Sequence, residues 1–209
     1  MKKTIAICLL IPVMSSAQGK LKLDPESGQF QLGIRNTISS FSDDAATGFG
    51  VGGQFRIRVT KQINTDWFAD QITTDISGIA RRVDHHIGWS VVAYPFNSDL
   101  TKGKVTPYIL AGHCFDHTTV SKNGTTNTPV QRRNSAVQVG MGMHYNITDR
   151  VDLSLTGQYM MHLGYNIHTT VIEVDGKKDV LIEKTKAKGV EGHLLINLSL
   201  NVRICDLLG

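Results

Sequence analysis

Histidine is the residue type in this chain best suited to chemistry near neutral pH, and the sequence holds eight. Two of them, His162 and His193, fall on the polar faces of two alternating segments. If those segments pair with Asp152 opposite Arg203, His162 lies opposite His193, Ser154 opposite Asn201, Thr156 opposite Ser199 and Gln158 opposite Asn197. Two imidazoles on one inner face can share a transition metal, or repel each other as cations in acid. Metal capture by His162 and His193 needs further ligands, which His113, Asp116 or Glu191 supply only if they also point inward. The plainer reading makes both histidines hydrogen-bonded interior residues, with no metal and no cofactor.

Covalent catalysis needs a nucleophile with a base in hydrogen-bond reach. A strand supplies the pair most simply as His-x-Ser, and no histidine here has serine at i+2. His117-Thr118-Thr119 and His168-Thr169-Thr170 come closest. No catalytic residue is therefore assigned, and the chain is read as a non-enzyme. Beyond Cys8 there are two cysteines, Cys114 and Cys205, with no C-x-x-C, and two unpaired thiols are expected.

These residues are carried by long alternating segments. In Ser135–Tyr145 one face is Val137, Val139, Met141, Met143 and Tyr145, and the other includes Gln138, Gly140, Gly142 and His144. Val151–Leu163 sets Val151, Leu153, Leu155, Tyr159 and Met161 against Asp152, Ser154, Thr156, Gln158 and His162. Side chains alternate along a strand, so each segment is a strand with one oily and one polar side. Their length, about ten residues or more, is what a tilted strand needs to cross a bilayer. Further strands are read at Phe30–Ile34, Phe49–Val59, Asp66–Ile76, His86–Phe96, Val105–His117 and Gly192–Ile204. In Asp66–Ile76 the pattern is poorest. There Trp67 and Ala69 are placed outward and Asp66 and Asp70 inward, which puts Ile72 on the polar side.

Eight strands suit a closed meander with both ends on one side of a membrane. The fold class is all-β, an eight-stranded antiparallel up-and-down transmembrane barrel. Its interior set is Gln31, Arg35, Gln54, Arg56, Arg58, Asp70, Gln138, His144, Asp152, Gln158, Asn197, Asn201 and Arg203. Such a barrel is just wide enough for its side chains to fill, which disfavours a diffusion pore. Three connections are short: Thr60–Thr65, Asn97–Lys104 and Asn146–Arg150. The other four, Ser39–Gly48, Ser77–His85, Thr118–Asn134 and Gly164–Gly189, are polar, mostly longer, and expected outside the cell. The last contains a hairpin about Asp175-Gly176. Trp67, Tyr94, Phe96, Tyr108 and Tyr145 lie near the short turns, where an interfacial aromatic girdle belongs.

Met1–Ala17 has a basic start, an apolar run and small residues before Gln18, the pattern of a secretory signal peptide. Its removal takes away Lys2 and Lys3 and lowers the formal charge from +4 to +2, so the basic balance is no argument for nucleic acid. The expected organisation is a signal peptide at 1–17, a periplasmic segment at 18–28, a barrel at 29–204 and a tail at 205–209.

The run PYILAG, followed by AVQVGMGMHYNITDRVDLSLTGQYMMHLG, resembles the small outer-membrane β-barrel family of Gram-negative bacteria, the OmpA/OmpX type. That resemblance implies an outer-membrane location, insertion by the barrel-assembly machinery, and a structural or surface-interaction role through four extracellular loops. A monomer is expected, with outer-membrane lipids, lipopolysaccharide and an extracellular protein as candidate partners. Lys122, Arg132, Arg133 and the lysines of the fourth loop are the groups placed to meet lipopolysaccharide phosphates. Two alternatives stand beside it: a lipid-modifying barrel enzyme, and a soluble exported barrel that binds a small ligand with its apolar face inside.

Overall fold

In the computed structural model, residues 26–41, 47–96, 101–124, 128–186 and 191–208 are described. The signal-peptide reading of Met1–Ala17 falls outside them. Ten strands form: β1 (Gln29–Phe41), β2 (Thr47–Arg58), β3 (Ile63–Ile76), β4 (Ala80–Ala93), β5 (Val105–Lys122), β6 (Val130–Asn146), β7 (Val151–Leu163), β8 (Tyr165–Val174), β9 (Lys177–Lys186) and β10 (Glu191–Asp206). Eight of them close a barrel in the order β1-β10-β7-β6-β5-β4-β3-β2, and β8 and β9 make a separate hairpin between β7 and β10. Every paired neighbour in the barrel is antiparallel. Closure removes the strand edges, so the ladder leaves no row of backbone groups unpaired against lipid.

The alternation sorts the faces as expected. Ile34, Val51, Ile87, Ile109, Met141 and Leu198 stand exposed on the outer wall, while Gln54, Arg56, Gln138, His144, Asp152 and Asn201 are buried inside. An apolar exterior around a polar interior is stable only with hydrocarbon outside, since water would leave that surface unmatched. The soluble, apolar-lined barrel is thereby excluded. On β3, Trp67 and Ala69 face out and Asp70 and Ile72 face in, with Ile72 fully buried. Of the expected interior set, Arg203 alone is only half-buried, next to a register irregularity at Phe30/Gln31.

The strand ends differ from the sequence reading. Ser77–His85 was expected as a loop, yet β3 and β4 are joined by only Ser77–Ile79, with Ser77 and Gly78 at φ of 54° and 74°. Thr118–Asn134 likewise shrinks, because β5 continues to Lys122 and β6 begins at Val130. Ladder hydrogen bonds do not require apolar side chains, so the barrel wall outruns the oily belt that marked the strands in the sequence. At the other end β10 runs to Asp206, two residues into the expected tail. The long connection is the one carrying β8 and β9, whose turn at Asp175-Gly176 has φ of 51° and 71°, as a two-residue hairpin turn requires.

Two expected girdle residues turn inward. Tyr94 and Tyr108 are each 3% exposed, whereas Trp67, Phe96 and Tyr145 are outside. Strand β5 is apolar on both faces here, so its sequence does not disclose which face is which. Gly142 on the facing strand makes the room, since a Cβ there would sit 2.6 Å from the Tyr108 ring. On the outer wall Phe55 stacks on Trp67 at 5.9 Å, and Trp67 meets Trp89 at 6.3 Å.

Candidate functional site

The interior is layered along the barrel axis. Nearest the short turns lies a network centred on Arg56 and Asp152. Arg56 donates from Nε to Asp66 at 2.7 Å and from Nη1 to Gln31 at 2.9 Å, and Nη1 lies 3.5 Å from Asp152. Asn201 Nδ2 donates to Asp152 at 2.8 Å, and Gln54 Nε2 donates to Asn201 Oδ1 at 2.6 Å. Buried charges persist only when paired and hydrogen-bonded, and these are.

The same network contains a pair absent from the sequence reading. His144 and Ser154 lie directly opposite each other on β6 and β7, with Nδ1 2.6 Å from Oγ. The tight turn could have disclosed it: once Asn146 pairs with Asp152, two steps back place His144 against Ser154. A serine, a histidine and an aspartate in contact invite comparison with a nucleophilic triad, and the wiring differs. Ser154 Oγ donates to Asp152 at 2.7 Å, while the far nitrogen of His144 meets Tyr94 OH at 3.0 Å. In a triad the carboxylate holds the histidine, not the serine. Ser154 is also 1% exposed, and the cavity beside His144 and Asp152 holds only about 10 Å³, space for about one water.

Midway stands an apolar layer that includes Phe68, Cys114, Ala136, Met160 and Leu195. Cys114 is a buried free thiol there, and Cys205 is free on the outside. Beside this layer Arg35 pairs with Asp70 at 3.0 Å and covers the Phe68 ring at 4.4 Å.

A second polar layer follows. Asp116, His162 and His193 each sit two residues nearer the hairpin end than Cys114, Met160 and Leu195. The register departs from the expected one by two residues: Asp152 pairs with Asn201, Ser154 with Ser199, Thr156 with Asn197, Gln158 with Leu195, and His162 with Glu191. A two-residue slip preserves every face, which is why alternation could not detect it. The rings of His162 and His193 meet even so, edge to face at 4.7 Å. His86 joins them, with its centroid 5.7 Å from His193 and 6.5 Å from His162.

Around these rings, among the described residues, arginines pair with aspartates. Arg82 Nε lies 3.0 Å from Asp84, and Arg132 Nη2 lies 3.3 Å from Asp116. Thr118 donates to Asp84 at 2.6 Å and accepts from Arg132 Nε at 3.1 Å. Arg132, expected in a loop, is 1% exposed inside the barrel. Asp116 lies 3.1 Å from His162 Nδ1 and 3.4 Å from His86 Nε2. Those contacts are within ion-pair distance but off hydrogen-bond geometry, and all four ring nitrogens of His86 and His162 lack a hydrogen-bond partner. Of the expected extra ligands, Asp116 does point inward. His113 instead lies on the outer face against Phe115 at 4.8 Å, and the Glu191 side chain is outside the described set. Among the described residues no three His, Cys, Asp or Glu side chains stand where they could hold a metal ion.

The hairpin closes this layer from above. Ile167 of β8 and Val180 of β9 are each 1% exposed and pack on Ile76, Ala80 and Val120 at the barrel rim. Arg132 Nη1 and Asn134 Nδ2 both donate to the Tyr165 carbonyl, at 3.2 and 2.7 Å. Lys122 binds Asp179 at 2.9 Å, and Lys184 donates to the Gln131 carbonyl at 2.7 Å. The Lys122 hydrogen bond, helped by the Val180 backbone N–H, holds the Asp179 carboxyl below its ordinary range.

No family model and no curated protein matches the chain. Solved structures do match it in fold. Neisserial surface protein A aligns over 85% of this chain and 98% of its own, with a TM-score of 0.58 at 16% identity. The outer membrane protein OprG from Pseudomonas aeruginosa aligns over 86% and 97%, with a TM-score of 0.52 at 13% identity. A major outer membrane protein from Thermus thermophilus covers 84% and 99%, with a TM-score of 0.50 at 11% identity. The fold is that of the outer-membrane β-barrels.

Proposed function

We infer that this eight-stranded outer-membrane-type barrel is a non-enzymatic envelope protein with a filled lumen, which acts through its hairpin end and its lipid-facing wall. One observation carries the reading: side chains fill the interior. The cavity among Arg35, Gln54 and Arg56 is again only about 10 Å³, so neither a permeant solute nor a substrate has room. The Ser154–His144 contact is structural, because its carboxylate is committed to serine, arginine and asparagine.

In this reading the hairpin end faces outside the cell and the short turns and both barrel termini face the periplasm. Met1–Ala17 directs export and the barrel-assembly machinery inserts the chain as a monomer. The lipid partners include lipopolysaccharide. Its phosphates suit the outward row His85, His117 and Arg133, which pair across β4, β5 and β6 one step beyond Ile87, Phe115 and Ser135. That row lies where the apolar wall gives way to polar residues, at headgroup height, and a phosphate there can accept charge-assisted hydrogen bonds.

The test reconstitutes the refolded protein in liposomes made with and without lipopolysaccharide. Expected are no sugar permeation, no acyl release, and tighter association with the lipopolysaccharide vesicles that Arg133→Ala weakens. Steady permeation or acyl release would overturn the reading. Single cysteines at Val174 and Asp149, in a background with Cys114→Ala and Cys205→Ala, check orientation. On intact cells an impermeant reagent should label only the first.

A further inference from the structure

The room that the lumen lacks lies on the outside. A groove of about 470 Å³ crosses the outer wall of β1 to β4, with Leu32, Gly53, Phe55, Trp67, Ala69 and Ile87 in its lining. Small-ligand pockets span about 300–1,000 Å³, and this groove falls among them. Its floor is a row of small residues. Gly53 pairs with Ala69 across β2 and β3, and the row continues to Ile34 on β1 and Ile87 on β4, both exposed. Two residues nearer the short turns the outward side chains are large: Leu32 pairs with Phe55, Phe55 with Trp67 and Trp67 with Trp89. Phe55 lies flat on Trp67, with 4° between the ring planes, so this edge of the groove is an aromatic ledge.

The glycines around the floor lack side chains for different reasons. At Gly33 a Cβ would collide with Asn201, and at Gly88 it would lie 2.6 Å from the His113 carbonyl oxygen. At Gly53 a Cβ would meet only the Gly33 carbonyl oxygen, at 3.8 Å. A glycine inside a strand weakens it and packs nothing. What Gly53 provides is depth on the lipid side.

The surroundings decide what fills that depth. The groove is continuous with the lipid-facing wall, and a hollow left empty there deprives its lining atoms of dispersion contacts. A flexible acyl chain restores them. Toward the hairpin the groove ends on a polar row. Two residues beyond Ala69 and Ile87, Gln71 pairs with His85, His85 with His117 and His117 with Arg133. Neighbouring strands lie about 4.8 Å apart, so the row from β4 to β6 is roughly 10 Å wide. That breadth suits a headgroup with more than one phosphate, and a chain hanging from its β4 end descends over Ala69 and Gly53.

We propose that the groove seats one acyl chain of a lipopolysaccharide molecule, beneath the row of His85, His117 and Arg133. The choice of lipopolysaccharide rests on the headgroup contacts of the proposed function, and the seat for a chain rests on the groove. The barrel then holds one lipid at a fixed place on its wall, while the chains around the rest of it exchange with the bilayer.

Trp67 lines the groove and the chain has two tryptophans, so Trp89→Phe leaves a single reporter at the site. The refolded variant is placed in vesicles of brominated phosphatidylglycerol, which quenches Trp67. Lipopolysaccharide or unbrominated phosphatidylglycerol is then added in steps. Expected is relief of quenching that saturates at a low mole fraction of lipopolysaccharide, against simple dilution by phosphatidylglycerol. Gly53→Leu should lose the saturating phase, and so should Ala69→Leu, which serves if Gly53→Leu does not insert. Gly157→Leu, at an equally open glycine on the outer face of β7, should keep it. Dilution alone with lipopolysaccharide, full saturation in the filled-groove variants, or equal saturation by phosphatidylglycerol overturns the proposal. Quenching that weakens as protein is concentrated in the bilayer, the mark of a second copy on this wall, overturns it too. Arg133→Ala separates the two readings. If it changes nothing while Gly53→Leu abolishes saturation, the headgroup row fails and the chain seat stands; the reverse pattern refutes the seat and keeps the row.

Discussion

The two ends of the barrel interior are built from the same materials and used differently. Near the short turns, His144 has both ring nitrogens engaged, by Ser154 and Tyr94, inside a network that also satisfies Arg56, Asp152 and Asn201. Near the hairpin, His86 and His162 lie as deeply buried, yet their nitrogens stay outside hydrogen-bond geometry. Burial alone does not decide what a polar residue does. A satisfied group locks its surroundings, and an unsatisfied one leaves them a reason to change. The difference also tracks what lies overhead: ladder and tight turns at one end, and a separate hairpin held by side chains at the other.

The largest test of this contrast removes a charge. Arg56→Leu strands Asp152 and Asp66 in the locked end and should cost about 3–5 kcal/mol of barrel stability, read by urea unfolding in vesicles. Arg132→Leu strands Asp116 in the other end, but His86 and His162 beside it can take up the missing positive charge. Its loss should be smaller in acid and grow as pH rises past the histidine range. Equal, pH-independent losses would erase the distinction between the ends.

Next comes the direct exchange of histidines. His144→Leu leaves Ser154 and Tyr94 each short of one partner and should cost about 1–3 kcal/mol. His162→Leu removes nitrogens that lie outside hydrogen-bond geometry, the nearer 3.1 Å from Asp116, and fills the same volume with hydrocarbon, so its loss should be smaller than that of His144→Leu. A larger loss at His162 than at His144 would invert the comparison.

Smaller still, globally, is the effect of freeing the hairpin. Ile167→Asp puts a carboxylate into the rim cluster and should make the hairpin protease-sensitive at neutral pH. The heat-dependent gel shift of the barrel should not move. Coupled loss of both would show that the hairpin is part of the barrel's own cooperative unit. Smallest is Asp179→Asn at the exposed latch. The Asp179 charge stabilises the closed hairpin above its unfolded-state range, and the contribution fades only as pH falls through its depressed folded value. Wild type and Asp179→Asn should thus differ slightly in hairpin proteolysis at pH 7 and 5, and converge in stronger acid or high salt.

Alternation with a period of two determined the class of fold and nearly every face, including the awkward placement of Trp67 and Ala69 outside and Ile72 within. It also marked the Asp175-Gly176 hairpin. These are local properties, set by the geometry of single strands and turns. What needed the closed barrel was whatever depends on two strands at once. The pairing of β7 with β10 slipped by two residues against the expectation, because such a slip changes no face and alters only which neighbours meet. Tyr108 turned inward on packing grounds, since β5 is oily on both sides and Gly142 leaves the space within, and Tyr94 meets its ring there at 6.2 Å. Arg82, Asp84 and Arg132 read as loop residues, yet they lie in the wall because hydrogen-bond ladders continue past the membrane's apolar belt. The histidine layer gathers residues from β4, β7 and β10, spread from His86 to His193 along the chain. Only closure of the sheet sets their distance, and distance decides whether imidazoles are separate residues or one cluster.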